Sequence, residues 1–320
     1  MRAFVPGGAG FIGSHAVDRL LGTAAVDHVT VFDNFSSGQL EHLPGESSRL
    51  SVIRGDISDL PGLSAAMQGH DVVFHFASNP DISQALTHPS IDFWQGTVLT
   101  QNIVEAMRCT GTRQIVYASG SGVYGDYGHE LLDEDFSPML PVSTYGASKL
   151  AGESILCAYC HMFGLQAWVF RFGNVVGPRQ THGVLFDFIR RLRADPTHLS
   201  IKGDGEQSKP YVHVDDVLNA VWLAWKSTSE RFNYFNVATD DATTVREIAL
   251  LAANALGFNG VRFEYAGGAR GWPGDVPVVR LDSSKIKALG WRAQRNSRQA
   301  LEDAARAVAK ELSTAAVPVT

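Results

Sequence analysis

Seven residues near the start of the chain, Gly7-Gly8-Ala9-Gly10-Phe11-Ile12-Gly13, constrain the fold more than any other segment. They come after a strand-like run at 3–6 and open a helix-patterned stretch at 10–21. Glycines there allow a tight strand-to-helix turn and let backbone N–H groups approach an anion at the helix N-terminus. A glycine-rich turn has purely structural uses as well, so its meaning depends on the next strand. Asp33 ends that apolar run about twenty residues on, where a carboxylate accepts hydrogen bonds from ribose hydroxyls; the competing reading is a surface aspartate capping a loop. The next residue is Asn34 rather than arginine. A carboxylate without an arginine repels a 2′-phosphate, which favours NAD over NADP.

The rest of the chain supports that placement. Short apolar runs at 3–6, 29–32, 50–53, 72–76, 114–118 and 167–170 alternate with helix-patterned segments at 10–21, 58–67, 92–108 and 144–163. Strands apolar on both faces, alternating with helices, predict a parallel sheet covered on both sides, a doubly wound α/β fold. After residue 172 the loops lengthen, with helical patterns at 184–193, 215–225 and 244–256, while 211–236 returns to the earlier style. We therefore expect a cofactor domain over 1–172, rejoined by 211–238, and a second, smaller α/β substrate domain within 173–320, with the ligand in the cleft between them. A chain of 320 residues with 45% hydrophobic side chains can bury two such unequal cores.

The formal net charge of −6, from 27 basic and 33 acidic residues, provides no basic surface for nucleic acid or an anionic membrane. Small molecules are the expected partners. No run is apolar over the roughly 18 residues that a membrane span needs, and the start of the chain lacks the pattern of a signal peptide, so a cytoplasmic protein is expected. Cys109, Cys157 and Cys160 are few and odd in number; Cys157-x-x-Cys160 lies in a helix pattern with no second ligand pair, so we expect reduced, packed thiols and no metal.

Tyr145-Gly146-Ala147-Ser148-Lys149 begins the helix pattern at 144–163, with Ser143 or Thr144 available as N-cap. Spacing of four places Tyr145 and Lys149 on one helical face. An ammonium beside a phenol, near a helix N-terminus, is expected to lower the phenol's pKa. Such a tyrosine can take a proton from a hydroxyl while hydride leaves the same carbon. By itself the pair is an ordinary half-exposed one; downstream of a dinucleotide turn it becomes an acid–base candidate.

These features, with Asp33-Asn34 followed by Ser36-Ser37-Gly38, Gly55-Asp56-Ile57, His75-Phe76-Ala77, Val123-Tyr124-Gly125-Asp126, the RFGNVVGPR run at 171–179, the YVHVDD run at 211–216, the RGWPGD run at 270–275 and Gly290-Trp291, resemble the extended short-chain dehydrogenase/reductase family. Within that family the chain is most similar to the UDP-glucose (UDP-galactose) 4-epimerases. The resemblance runs end to end and implies a Rossmann domain that holds NAD. It implies that Gly7, Gly10, Phe11, Ile12, Gly13, Asp33, Asn34, Ser36, Ser37 and Gly38 bind the dinucleotide, with Asp56 and Ile57 at the adenine. Phe76, Ala77 and Ser78 would pass over the phosphates, and Lys149 would also hold the nicotinamide ribose. Asn174, Val184, Lys209, Arg270 and Asp275, with Ser121 and Tyr145, would meet the nucleotide-sugar. It further implies a homodimer built on the helices at 92–108 and 144–163, while His75, in an apolar strand, reads as a satisfied core histidine.

The reaction implied is redox-neutral: Tyr145 removes the 4-hydroxyl proton, hydride passes to NAD, the 4-keto sugar rotates, and hydride returns to its other face. The chain departs from the family's pattern at Ser119-Gly120-Ser121-Gly122, where Gly120 stands in place of a proton-shuttling hydroxyl. Ser121, Ser119 or a water could substitute. Positions 121 and 122 also lack the acids that sister dehydratases and decarboxylases place there, which favours plain epimerisation. Pro6, Lys209 and Trp272 replace a threonine and two arginines at the phosphate end. Alternatives are an epimerase of another UDP-sugar, a nucleotide-sugar reductase or dehydrogenase, and a non-catalytic NAD-binding regulator.

Overall fold

The computed structural model describes residues 1–314. The first six apolar runs form β1 (Arg2–Pro6), β2 (His28–Asp33), β3 (Leu50–Arg54), β4 (Val72–His75), β5 (Gln114–Gly120) and β6 (Gln166–Phe172). Between them lie α1 (Phe11–Leu21), α2 (Leu60–Met67), α3 (Leu99–Thr110) and α4 (Thr144–Phe163). The chain continues through β7 (Asn174–Val176), α5 (Val184–Ala194), β8 (His198–Ile201), β9 (Ser208–Lys209), β10 (Tyr211–His213), α6 (Val214–Ser227) and β11 (Phe232–Val237). It ends with β12 (Thr243–Thr244), α7 (Val245–Ala255), β13 (Arg262–Tyr265), α8 (Ser284–Ala288) and α9 (Ser297–Thr314).

Seven strands make one parallel sheet in the order β11-β6-β5-β4-β1-β2-β3. Successive strand residues face opposite sides. Ala3, Val5, Val72 and Phe74 pack with Ala16, Val17 and Leu20 of α1 and Val217 and Val221 of α6. Phe4, Val73 and Ile115 pack on the other face with Ile103 and Met107 of α3 and Leu156 of α4. Burial on both faces is why the inner strands read as continuous apolar runs, whereas Val52 and Ile53 of the edge strand β3 are exposed. The strand order reverses between β1 and β4, and the crevice beyond their C-terminal ends is where such sheets take ligands.

Within 211–237, β10 pairs with β7 in a separate two-stranded sheet, α6 packs against the large sheet, and β11 lies in register beside β6, from Phe232 opposite Ala167 to Val237 opposite Phe172. A separate apolar cluster joins Leu185, Ile189 and Leu192 of α5, Ile248 and Ala252 of α7, and Leu301, Ala305 and Val308 of α9. Helix α9 was not among the patterns read from the sequence.

Three details differ from expectation. The segment read as one helix from 92 begins with a π-helical turn, Phe93–Val98. A Cβ on its Gly96 would come within 2.4 Å of the Ser148 hydroxyl, so the glycine lets this turn lie directly on α4. All three cysteines are free, with Cys160 buried and Cys157 half-buried, but Cys109 is exposed rather than packed. His75 is a core residue, 1% exposed, yet only Nε2 has a partner, the Thr100 hydroxyl at 3.4 Å, and Nδ1 has none. Burial, then the Lys149 charge, brings its pKa down to about 3, so the ring is neutral. Among the described residues no helix is long and apolar enough to cross a membrane, and no cluster of His, Cys, Asp and Glu could hold a metal ion.

Candidate active site

The glycine turn sits at the reversal point. Gly7 has φ +75° and donates to the Phe32 carbonyl at 3.0 Å; a Cβ there would fall 2.5 Å from the Ala77 nitrogen. The Pro6 carbonyl accepts from the Phe76 and Ala77 amides, each at 3.1 Å, so a proline is tolerated where only its oxygen is used. These contacts lay Phe76, Ala77 and Ser78 beside the turn. At Gly13 a Cβ would stand 2.1 Å from the Gly7 carbonyl, so α1 can start this close only with glycine. Gly10, the N-cap of α1, offers no side-chain acceptor. The first-turn amides of Phe11, Ile12 and Gly13 are therefore left for an anion.

Asp33 is 8% exposed and anchored, one oxygen accepting from the Ala9 amide at 2.9 Å and the other from the Phe35 amide at 2.8 Å. A Cβ on Gly38 would approach both oxygens at 3.0 Å, so glycine leaves the carboxylate its space. Asn34 accepts from the Ser36 amide at 3.0 Å and donates to Asp56 at 3.1 Å; the other Asp56 oxygen caps the Ser58 amide at 2.8 Å. The Ile57 carbonyl accepts from Asn102 at 3.0 Å. Ser37 lies on the same loop, whose Gln39 amide is tied to the Ala9 carbonyl at 3.0 Å. Hydrogen bonds thus link the turn to Asp33, and Asn34 to Asp56, along one side of the crevice, the candidate cofactor residues. Sequence reading overlooked Arg54, the β3 register partner of Asp33, whose guanidinium lies 4.9 Å over the Phe35 ring.

The acid–base candidates stand where α4 begins. Ser143 is its N-cap, accepting from the Gly146 amide at 3.0 Å, while the Thr144 hydroxyl donates to Asp92 at 2.6 Å. Tyr145 and Lys149 share a face as the spacing predicts: the Lys149 ammonium is 5.6 Å from the centre of the Tyr145 ring and donates to the Ala118 carbonyl at 2.8 Å. The expected lowering of the tyrosine pKa is not found. Burial pushes the phenol up to about 12, against the opposing effect of the neighbouring Ser78 hydroxyl, and the Asp92 charge adds to the rise. Lys149 is brought down to about 8 by burial, with Glu153 and Asp92 opposing. In the free protein, desolvation outweighs the nearby ammonium.

Ser119 is not free to relay a proton. Its hydroxyl donates to Glu153 at 2.6 Å, within a buried network the sequence did not reveal. Arg171 grips Glu153 through Nε, 3.1 Å from both oxygens, and through Nη2 at 2.7 Å. Its Nη1 donates to the Tyr124 hydroxyl at 2.9 Å and the Glu134 carbonyl at 2.8 Å, and Tyr124 donates to Asn236 at 2.8 Å. The available signal was Glu153 one turn beyond Lys149 on a face that must be buried. Ser121 opens a short 3-10 turn, Ser121–Val123, after the extended Gly120.

Most of the expected phosphate-end residues converge. Lys209 pairs with Asp275 at 2.6 Å, and Arg270 pairs with Asp126 and donates to the Asp275 carbonyl. The second Asp275 oxygen accepts from the Gly271 amide at 3.0 Å, so the buried carboxylate holds both Lys209 and the 270–275 loop. Trp272 and the side chain of Ser143 both crowd Gly274, which brings the 270–275 loop over the start of α4. Asn174 starts β7 as the register partner of Tyr211, and Val184 begins α5 against that helix cluster.

A family model described as the NAD dependent epimerase/dehydratase family matches residues 3–238. A UDP-glucose 4-epimerase of Mycolicibacterium smegmatis is 35% identical over 310 residues, covering 92% of this chain and 94% of that protein. Among solved structures, a UDP-galactose 4-epimerase superposes with a TM-score of 0.87 at 38% identity, covering 98% of this chain and all (100%) of the other. The Thermus thermophilus UDP-glucose 4-epimerase in complex with NAD has a TM-score of 0.86 at 33% identity, covering 96% and 99%.

Proposed function

The chain belongs to the NAD-dependent epimerase/dehydratase family, and from that premise we propose that it is an NAD-dependent epimerase acting at C4 of a UDP-linked hexose, interconverting UDP-glucose and UDP-galactose. The observation that carries this reading is Tyr145 and Lys149 together at the mouth of the β1–β4 crevice, with Ser121 and Gly122 where an eliminating enzyme needs acids. NAD supplies a reversible hydride acceptor when bound.

The chain's own residues do the rest. The amides of Phe11, Ile12 and Gly13 receive the pyrophosphate, Asp33 the adenosine ribose, and Asp56 and Ile57 the adenine. Lys149 holds the nicotinamide ribose and keeps a positive charge near the phenol; Tyr145 exchanges the proton of the 4-hydroxyl. Asn174, Val184, Lys209 and Arg270 take the nucleotide-sugar, with Asp275 positioning Lys209. We assign the cofactor domain to 1–172 with 211–238, and the sugar-nucleotide domain to the remainder. Incubation with UDP-glucose without added NAD should form UDP-galactose with no net release of NADH, followed by chromatography and absorbance at 340 nm. Stoichiometric NADH would instead identify a dehydrogenase, and no conversion of any UDP-hexose would overturn the reading.

We further propose a cytoplasmic homodimer, in keeping with three free cysteines and with apolar residues left uncovered beside α3 and on α4. Phe93 is 52%, Trp94 59% and Met162 72% exposed. Light scattering should give twice the chain mass, and Trp94→Asp should shift it toward the monomer; a monomeric parent would sink the proposal.

A further inference from the structure

The acid–base centre lacks a side chain at Gly120, and Ser119 is taken by Glu153. Ser78 offers an unclaimed hydroxyl in the crevice. Ser78 Oγ is buried and makes no hydrogen bond within the protein, a state rare enough in folded chains to need a cause. It stands beside the Tyr145 phenol, where it favours the ionised form.

The neighbourhood is built. Asp92, 1% exposed, accepts from the Asn79 side chain at 2.8 Å through one oxygen and from the Thr144 hydroxyl at 2.6 Å through the other. The residue after Ser78 and the residue before Tyr145 are thus tied to one buried carboxylate. Asn79 also accepts from the Asp81 amide at 3.0 Å, fixing the loop that leaves β4.

We propose that Ser78 is the hydroxyl partner of Tyr145, donating a hydrogen bond to the phenolate oxygen and so filling the role for which Gly120 offers no side chain. The inference rests on the epimerase reading of this site. No bond forms or breaks at Ser78; its O–H points at the oxygen that carries the negative charge and releases it when that oxygen takes the sugar proton. Hydrogen bonds to charged groups are the strong ones, and stronger still where water is excluded. Gly120 itself is not required by the backbone: its φ is −159°, an extended conformation open to any residue, and a Cβ would meet only the Phe172 carbonyl oxygen, at 3.9 Å.

The test uses the purified full chain and three variants, Ser78→Ala, Ser78→Thr and Ser78→Ala combined with Gly120→Ser. Tyr145 is titrated by ultraviolet difference spectra, each protein against its Tyr145→Phe counterpart, and kcat and KM are measured across pH. Loss of a donor to the phenolate raises the phenol's proton affinity. Ser78→Ala should therefore move the titration midpoint and the acidic limb of kcat up by about one pH unit, which is about tenfold in rate below the limb, with KM within about twofold. Ser78→Thr should behave as the parent, and Gly120→Ser should restore much of the loss. An unmoved midpoint in Ser78→Ala, or a change in KM alone, overturns the proposal. If the parent converts no nucleotide-sugar, the epimerase reading fails, and the spectral titration still decides the role of Ser78.

Discussion

Replacing Tyr145 by phenylalanine is expected to lower kcat by about 10²- to 10⁴-fold, the range ascribed to a positioned acid–base group, while the fold and bound NAD are retained. The ring stays, so its contact with Lys149 and the packing at the start of α4 survive; only the exchangeable oxygen is lost. A non-catalytic NAD-binding protein would show no such effect, because the candidate cofactor residues Gly7, Gly13 and Asp33 do not include that oxygen. The measurements are turnover of UDP-glucose and the nicotinamide content of the purified protein. A residual rate within about tenfold of the parent would move the acid–base role to another group. The parent should show a bell-shaped pH profile. Activity falls in acid as the Tyr145 phenolate, whose proton affinity burial has raised, takes up its proton. It falls in base as Lys149 loses the charge that supports the phenolate; because burial raises the phenol to about 12 and lowers the ammonium to about 8 in the free protein, the two limbs belong to the coupled pair rather than to one residue each.

The largest stability effect should come from Glu153→Ala. Glu153 and Arg171 are each 5% exposed in their side chains, and the mutation leaves a guanidinium in the core with only the Tyr124 hydroxyl and the Glu134 carbonyl. Removing one partner of a buried pair costs about 3–5 kcal/mol, because the remaining charge is uncompensated. A thermal midpoint lower by on the order of 10 °C is expected for a chain of this size. Denaturant unfolding should show a lower midpoint at unchanged slope. Glu153→Gln, which keeps the shape and one acceptor, should lose less. A Glu153→Ala protein within about 1 kcal/mol of the parent would show the network to be more hydrated than its burial implies.

The candidate cofactor residues could be picked out in the sequence because their logic is local. Glycines adjoin the strand that precedes them, Asp33 ends the following strand, and Tyr145 and Lys149 are one helical turn apart. The sheet was legible for a related reason: strands buried on both faces announce themselves as unbroken apolar runs. What escaped is what the fold brings together from afar. Glu153 meets Arg171 from a different element, Tyr124 meets Asn236 across more than a hundred residues, and Asp126 meets Arg270 across a similar span. No spacing rule relates such pairs. The sign of the Tyr145 shift escaped for another reason: proximity of Lys149 can be read from spacing, whereas the extent of desolvation depends on everything packed around the phenol.

Lys209 and Arg270 do not wait bare in the free protein; each already has a carboxylate counter-ion, Asp275 and Asp126 respectively. If these cations receive the diphosphate, binding is an exchange of ions rather than a simple addition of charge. The incoming phosphates must displace Asp126, and that carboxylate becomes a standing competitor for the same arginine. Part of the attraction cancels on entry and is recovered on departure, so the grip on product is moderated by the same residue that keeps the empty cleft electrically quiet. An enzyme that runs a near-symmetric reaction in both directions gains from such moderation, because neither sugar is held long enough to stall the return.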